Sequence, residues 1–379
     1  MMTASTDEGA PLYLPPLDLV WSGVRPAAEA VGLAPYTLLH AGPPFRDACA
    51  PSAVVLSSAV ICILYEGWAQ DEAEAEQLLR TGAVRLLPSL AYGVSIPLAA
   101  VISPSTALVE VSDRDSGERW WSLLHSGPGA EIRFGSRQPQ LLARMQQRDQ
   151  VLAPALDALV QHAPLALAPL AAKALAAGDD LHADTSTATA LLGEALAPQD
   201  PLLQEMLAHT PTFFLTLWMA SAMHYAARLA RTPGIPADTL VAIAGNGESI
   251  GIRCASNPEH WFVQPGHPPQ GDSGDRQGAV ARGVGDSGVI DAIGCGAQLW
   301  LTTARVPIPK RHPVQRIDHA AVGRLAITSD ISLHSAYRLG RLRDEQAGIY
   351  VSLAMLERQG VGGLLGRGVL KVTPPPCSA

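Results

Sequence analysis

The sequence predicts an α/β protein: two mixed α/β lobes flanking an Ala/Leu-rich helical middle. Three observations predict it. Short apolar runs bounded by Gly/Pro turns fill residues 1–150. Leucine and alanine then recur at three- and four-residue spacings, and beyond residue 236 short apolar runs return, punctuated by glycine. The expected division is an N-terminal segment over 1–35, a first α/β lobe over 36–150, a helical region over 151–235 and a C-terminal α/β lobe over 236–379.

The elements follow in chain order. Ala53–Leu64 and Tyr92–Val111 carry β-branched residues and read as buried strands or strand–turn units. Asp71–Arg80 places its acidic residues first and an arginine last, the order that complements a helix dipole. Val151–Leu175 sets Leu152, Leu156, Leu159 and then Leu167, Leu170 at helical spacings, broken by Pro164 and Pro169. Thr185–Leu196 reads as a second helix. Leu202–Arg231 reads as a third, interrupted near Pro211, with Phe213, Leu217, Ala220, Met223 and Ala227 along one face. Leu240–Ala244 and Ile250–Cys254 flank Gly245-Asn246-Gly247-Glu248, a hairpin signal. Residues 264–288 are so rich in Gly and Pro that a long irregular loop, functional or mobile, is expected. Gly360–Gly368 is glycine-punctuated again, before a PPP tail expected to fray.

Composition excludes several classes. With 379 residues, 47% of them apolar, the chain can bury a sizeable core. The net charge of −8 argues against nucleic acid as partner, since such binding needs a basic stripe; the densest basic cluster is Arg338, Arg341, Arg343. The first ten residues are polar and acidic, so no signal peptide is readable. The most apolar runs, Ala53–Tyr65 and Phe213–Ala227, fall short of the roughly 20 residues of a spanning helix. A cytoplasmic protein without membrane association is expected. The cysteines Cys49, Cys62, Cys254, Cys295 and Cys377 are odd in number and lack CxxC spacing. Neither a disulfide framework nor a structural zinc site is expected. Each reads as a lone buried thiol, with Cys295, between two glycines, the least ordinary.

Six segments carry residues suited to chemistry, and each also has a plain structural reading. His40-Ala41-Gly42-Pro43-Pro44 with Arg46 offers a proton carrier, a tight turn and an anion clamp, or merely a strand-to-loop turn. Glu66 precedes an acidic helix start and is either a site carboxylate or part of a solvated cap. Ser126–Gly129 with Arg133 is an anion cradle or a plain turn; it lacks GK[ST] and is no P-loop. Gly178–Asp184 holds Asp179, Asp180, His182 and Asp184, spaced to share a helix face as metal ligands or as a carboxylate-oriented base, or to cap a helix. Asn246 with Arg253, and Gly283–Gly288 with Asp286 and Ser287, complete the set. The G-D-S-G tetrapeptide is shared with chymotrypsin-type nucleophiles, but nothing else of that pattern is present. A dinucleotide fingerprint is absent too.

Taken in order, TLLHAGPPFR (Thr37–Arg46), EGWAQDEA (Glu66–Ala73), Gly129–Gly135, GDDLHADTSTATALL (Gly178–Leu192), Phe213–Ala227, NGESIGIR (Asn246–Arg253), Trp261–Phe262 and GDSGVIDAIGCG (Gly285–Gly296) form a pattern. It resembles a bacterial family formerly of unknown function that includes the AllG-type subunit of oxamate carbamoyltransferase. A weaker likeness closes the chain at Gly360–Pro374. Three departures stand out. Residues 298–350 match poorly, a basic residue is lost before Asn246, and Asp291 stands where the family's second carboxylate is one methylene longer.

The resemblance implies transfer of a carbamoyl or related acyl group between carbamoyl phosphate, or phosphate, and a small amide or amine. It implies a homo- or hetero-oligomer with a possible FdrA-like, acyl-CoA-synthetase-like partner; no cofactor and no metal ligand is assigned. His40, Glu66 and His182 are the catalytic candidates. Gly42, Arg46, Gly129, Arg133, Asp179, Asn246, Arg253, Asp286 and Ser287 are the substrate- and anion-binding candidates. Their loops are expected to converge on one cleft. Two other classes stay open: an amidohydrolase or cyclising enzyme acting on a ureido or amide substrate, and a non-catalytic subunit that completes a partner's site.

Overall fold

The computed structural model describes residues 12–274, 276, 278–299 and 317–375. Mixed sheets and helices alternate through both outer parts of the chain, with helices between them, as the sequence predicts. In the first part, Thr37–His40 pairs in parallel with Arg85–Pro88 and antiparallel with Val101–Ile102. The crossover between the parallel pair carries the helices Ala53–Tyr65 and Glu72–Arg80. Beside this lies a five-stranded sheet in the order Val94–Ser95, Arg119–Leu123, Ala107–Asp113, Leu19–Pro26, Leu165–Ala166. Its fourth strand comes from the N-terminal stretch and its fifth from the helical middle.

Ala53–Leu64 is not a strand. It forms the 13-residue helix Ala53–Tyr65, buried from Val54 to Ile63 except at Leu56. A helix apolar on every side loses the periodicity that distinguishes it from a buried strand, and its length decides the matter. Ser57 and Ser58, which interrupt the run, donate to the carbonyls of Gly360 and Ile132 at 2.8 and 2.9 Å. The Glu72–Arg80 helix forms as expected, with Asp71 accepting from the Glu74 N–H at 2.9 Å as its N-cap.

The middle helices are Ala153–His162, Ala168–Ala177, Ser186–Leu196, Pro201–Ala208 and Phe213–Arg231. The prolines end or open them where the sequence places breaks. Phe213–Arg231 carries no single apolar stripe: every residue from Phe213 to Ala226 is buried. It is the central core helix, packed on Ala107–Asp113, Arg119–Leu123 and Leu240–Asn246.

In the last part, Leu240–Asn246 and Ser249–Cys254 form the expected hairpin, extended by Asn257–Pro265 on one side and Val284–Gly285 on the other. Residues 264–288 hold more regular structure than their composition suggests. Gln270–Asp272 pairs with Leu364–Val372, which pairs in turn with Ile349–Leu356. Glycine permits this pairing rather than preventing it. A Cβ on Gly271 would stand 2.0 Å from the Arg367 carbonyl oxygen. A further sheet joins Leu12–Leu14 to Ala321–Ala326 and Ser332–Tyr337. The tail beyond Pro375, with Cys377, lies outside the described residues. Among the described residues no helix is long and apolar enough to cross a membrane.

Candidate functional site

The singled-out residues separate into a buried knot and a cavity wall. The knot is built where the HAGPP turn meets the hairpin. Gly42 has φ +83°, and a Cβ there would stand 2.4–2.6 Å from the backbone of Gly245 and Asn246. Its N–H donates to Asp286 Oδ1 at 2.8 Å, while Asp286 Oδ2 accepts from Ser89 Oγ at 2.7 Å and from the Ile96 N–H at 2.8 Å. Burial pushes the Asp286 carboxyl up to about 6, against the pull of those donors. Asn246 donates to the Pro43 carbonyl at 3.0 Å and accepts from the Glu248 and Ser249 N–H groups. Each of these groups is consumed in holding the chain together.

His40 belongs to the same knot. It is buried against Phe45, its Nδ1 donates to the Ala41 carbonyl at 2.8 Å, and burial lowers its pKa to about 4. It lines none of the described cavities, and burial favours its neutral form near pH 7. Arg253 lies over the Trp261 ring at 4.1 Å, and burial lowers its pKa. Arg46 is exposed and lines no described cavity either. Glu66 caps the C-terminus of Ala53–Tyr65 and accepts from the Ser105 N–H at 2.8 Å and Oγ at 2.9 Å, a clamp between helix and loop. Asp179 accepts from the Ala188 N–H at 2.9 Å and so caps Ser186–Leu196. None of the described cavities is lined by all six loops.

Three of the candidates do. His182, Arg133 and Ser287 line one cavity of about 250 Å³, together with Leu98, Phe134, Thr212, Ser352 and Arg367. First-part, middle and last-part residues all meet there. Gly129 lines a neighbouring open cleft that shares Phe134 and Leu364 with this cavity.

His182 is positioned from both sides. Asp180 Oδ1 accepts from the His182 and Asp184 N–H groups at 2.8 and 3.0 Å, which tightens the loop. His182 Nδ1 lies 2.7 Å from Asp291 Oδ2, while Asp291 Oδ1 accepts from the Ala297 and Ser352 N–H groups at 2.8 and 3.2 Å. A carboxylate so held fixes the tautomer: Nδ1–H donates, and Nε2 keeps its lone pair. Nε2 has no hydrogen-bond partner among the described residues.

Arg133 is anchored with equal care. Its Nε and Nη2 donate to Glu131 Oε1 at 3.1 and 2.8 Å, and Nη2 also reaches His125 Nε2 at 3.0 Å and Thr212 Oγ1 at 3.2 Å. Burial and the Arg133 charge hold the His125 pKa well below its ordinary value, so the ring is neutral. His125 Nδ1 sits 3.2 Å from Glu131 Oε2. Nδ1 also accepts from the Gly127 N–H at 3.1 Å. Arg133 Nη1 alone has no protein partner among the described residues, and the side chain lines the cavity.

Backbone strain gathers at the same place. Leu98, in the cavity wall, has φ +49°, and Leu181, next to His182, has φ +63°. Branched residues enter this region at a cost that active sites commonly carry. Sequence reasoning missed His125, Glu131, Thr212, Ser352 and Arg367. Glu131 and Arg367 lie inside singled-out segments, Gly129–Gly135 and Gly360–Gly368, but as neither glycine nor a motif residue they were passed over. Among the described residues no group of three or more His, Cys, Asp or Glu is placed to hold a metal ion.

Comparison with known proteins adds the following. A family model described as oxamate carbamoyltransferase subunit AllG matches residues 84–287. The oxamate carbamoyltransferase subunit AllG of Escherichia coli (strain K12) is 31% identical over 306 residues, covering 76% of this chain and 71% of that protein. An uncharacterized protein, YahG, of the same organism is 26% identical over 291 residues, covering 73% of this chain and 60% of that one. The crystal structure of a conserved protein of unknown function from Enterococcus faecalis V583 matches with a TM-score of 0.83 at 20% identity, over 94% of this chain and 91% of that chain. That likeness concerns the fold.

Proposed function

Because the chain belongs to the family of the oxamate carbamoyltransferase subunit AllG, we propose that it is a carbamoyltransferase-like subunit whose His182/Arg133 cavity handles a carbamoyl group. The group would pass between carbamoyl phosphate, or phosphate, and an amide or amine nitrogen. One observation carries the reading: the wall that presents an oriented imidazole, His182 on Asp291, also presents the partnerless Nη1 of buried Arg133.

The chemistry needs both. Attack on the carbamoyl carbon develops negative charge on its oxygen and requires a proton to leave the nucleophile. A fixed guanidinium stabilises the charge without reorganising, and His182 Nε2 takes the proton. Arg133 and Arg367 are suited to the phosphate, whose oxygens match a guanidinium fork. Leu98, Phe134, Leu215 and Leu353 line the rest of the cavity, which limits water.

The relative is a subunit by name, and this chain is read as one member of a homo- or hetero-oligomer, with an FdrA-like partner as a candidate. We place the protein in the cytoplasm. The test is phosphate-dependent release of carbamoyl phosphate from N-carbamoyl amides, measured on the purified chain alone and with candidate partner subunits. Activity lost in His182→Gln supports the reading. Cleavage that proceeds without phosphate points instead to an amidohydrolase. Full activity of the assembled complex with His182→Gln points to a non-catalytic subunit.

A further inference from the structure

Ser287 opens the short helix Gly288–Ala292 and has helical backbone angles, φ −63° and ψ −14°. Asp291 lies four residues on in the same turn. Residues so spaced share a helix face with Cβ atoms about 5–6 Å apart. Asp291 is the residue that holds His182 Nδ1 at 2.7 Å. Ser287 and His182 both line the cavity. The Ser287 side chain is buried, 3% exposed, and makes no hydrogen bond among the described residues. One helical turn thus supplies a hydroxyl and a carboxylate, and the His182 loop brings to the same cavity an imidazole whose tautomer leaves the Nε2 lone pair free.

Resting on the proposed carbamoyl transfer, we propose that Ser287, His182 and Asp291 form a nucleophilic triad that carries the carbamoyl group as a carbamoyl-serine ester. Ser287 Oγ attacks the carbamoyl carbon of carbamoyl phosphate as His182 Nε2 takes the hydroxyl proton. The tetrahedral intermediate collapses with cleavage of the bond between carbon and the phosphate oxygen, and phosphate leaves with the proton held on Nε2. The acceptor nitrogen then attacks the ester carbon as Nε2 takes its proton, and that proton passes to Oγ as the C–Oγ bond breaks. In the reverse direction an N-carbamoyl amide loads the serine and phosphate unloads it. Atoms and charge balance without an oxidant or further co-reactant. Asp291 orients the ring throughout.

The test uses p-nitrophenyl carbamate, a donor that bypasses phosphate, on the full chain with its partner subunits where activity needs them. A burst of p-nitrophenol equal to the site concentration is expected, with one carbamoyl adduct mapped to Ser287 by peptide mass spectrometry. Added inorganic phosphate should discharge the adduct. His182→Gln should slow loading by roughly 100-fold or more, and Ser287→Ala should abolish it.

Absence of a burst in the parent protein, or an adduct at another residue, overturns the proposal. So does Ser287→Ala transferring carbamoyl at the parental rate, an outcome that leaves the carbamoyltransferase reading standing. An adduct at Ser287 that phosphate cannot discharge supports the nucleophile and counts against phosphorolysis. Labelling is measured on the unmutated chain, so the conclusion survives if Ser287→Ala fails to fold.

Discussion

His182 and Asp291, 109 residues apart in sequence, meet at 2.7 Å with the carboxylate's second oxygen bound to two backbone N–H groups. The pair is therefore rigid, and the imidazole has one tautomer to offer. In Asp291→Asn, Oδ1 can keep its backbone bonds while the amide presents a donor to the ring, favouring the wrong tautomer. Activity should fall by about 10²- to 10⁴-fold, as when a general base is lost, with little change in melting temperature. Initial rates set beside thermal melts check this. A parallel fall in both quantities would make Asp291 structural.

Arg133 and Arg46 should behave differently under the same substitution. Arg133→Lys keeps the charge but loses the fork that holds Glu131, His125 and Thr212. Phosphate affinity should drop about tenfold or more, the equivalent of at least about 1.4 kcal/mol. Arg46 is exposed, and Arg46→Lys should leave stability within about 0.5 kcal/mol and binding unchanged. Phosphate titration of the two variants separates them.

Gly42→Ala should be among the most disruptive single substitutions. The residue has φ +83°, and the new methyl group would meet the Gly245 and Asn246 backbone at 2.4–2.6 Å. Both the left-handed backbone and the clash oppose it, and a loss of at least about 3 kcal/mol is expected. Denaturant unfolding measures this. A parental midpoint would show that the HAGPP turn and the hairpin are less tightly docked than described.

Two buried groups of the knot should give stability opposite slopes against pH. His40 has its pKa lowered to about 4 by burial, so the unfolded chain binds more protons between that value and the ordinary histidine range. Stability from this group rises with pH across the window and is lost on acidification. Asp286 is raised to about 6, so the folded chain holds the extra proton below that pH, and its contribution falls as pH rises from the ordinary carboxylate range to about 6. His40→Gln should remove the first slope and Asp286→Asn the second. Asp286→Asn should also cost about 1–3 kcal/mol, since an amide cannot accept from all three donors. Melting temperatures from pH 4 to pH 7 for the two variants check both signs.

Legibility in the sequence followed the range of the interactions. The hairpin 240–254 and the helix after Asp71 are set by neighbouring residues and were readable from turn chemistry and capping. Ala53–Tyr65 was not, because burial on all sides erases periodicity. At the site, His182, Arg133 and Ser287 stood out as reactive residues among small ones. HAGPP stood out for the same reason, yet its small residues serve close backbone packing, with Gly42 against Gly245. Composition shows that a backbone is approached closely but not whether a ligand or another loop approaches it. Arg367 gave no signal of its own, since it acquires its role only where Leu364–Val372 reaches the cavity.

The measurement that tests the central claim most directly is a crystal structure of this chain grown with inorganic phosphate. The account predicts the phosphate inside the cavity, bonded to Arg133 Nη1 and within reach of the His182 side. A phosphate seated instead on the HAGPP turn beside Arg46, with the cavity filled only by water, would contradict it.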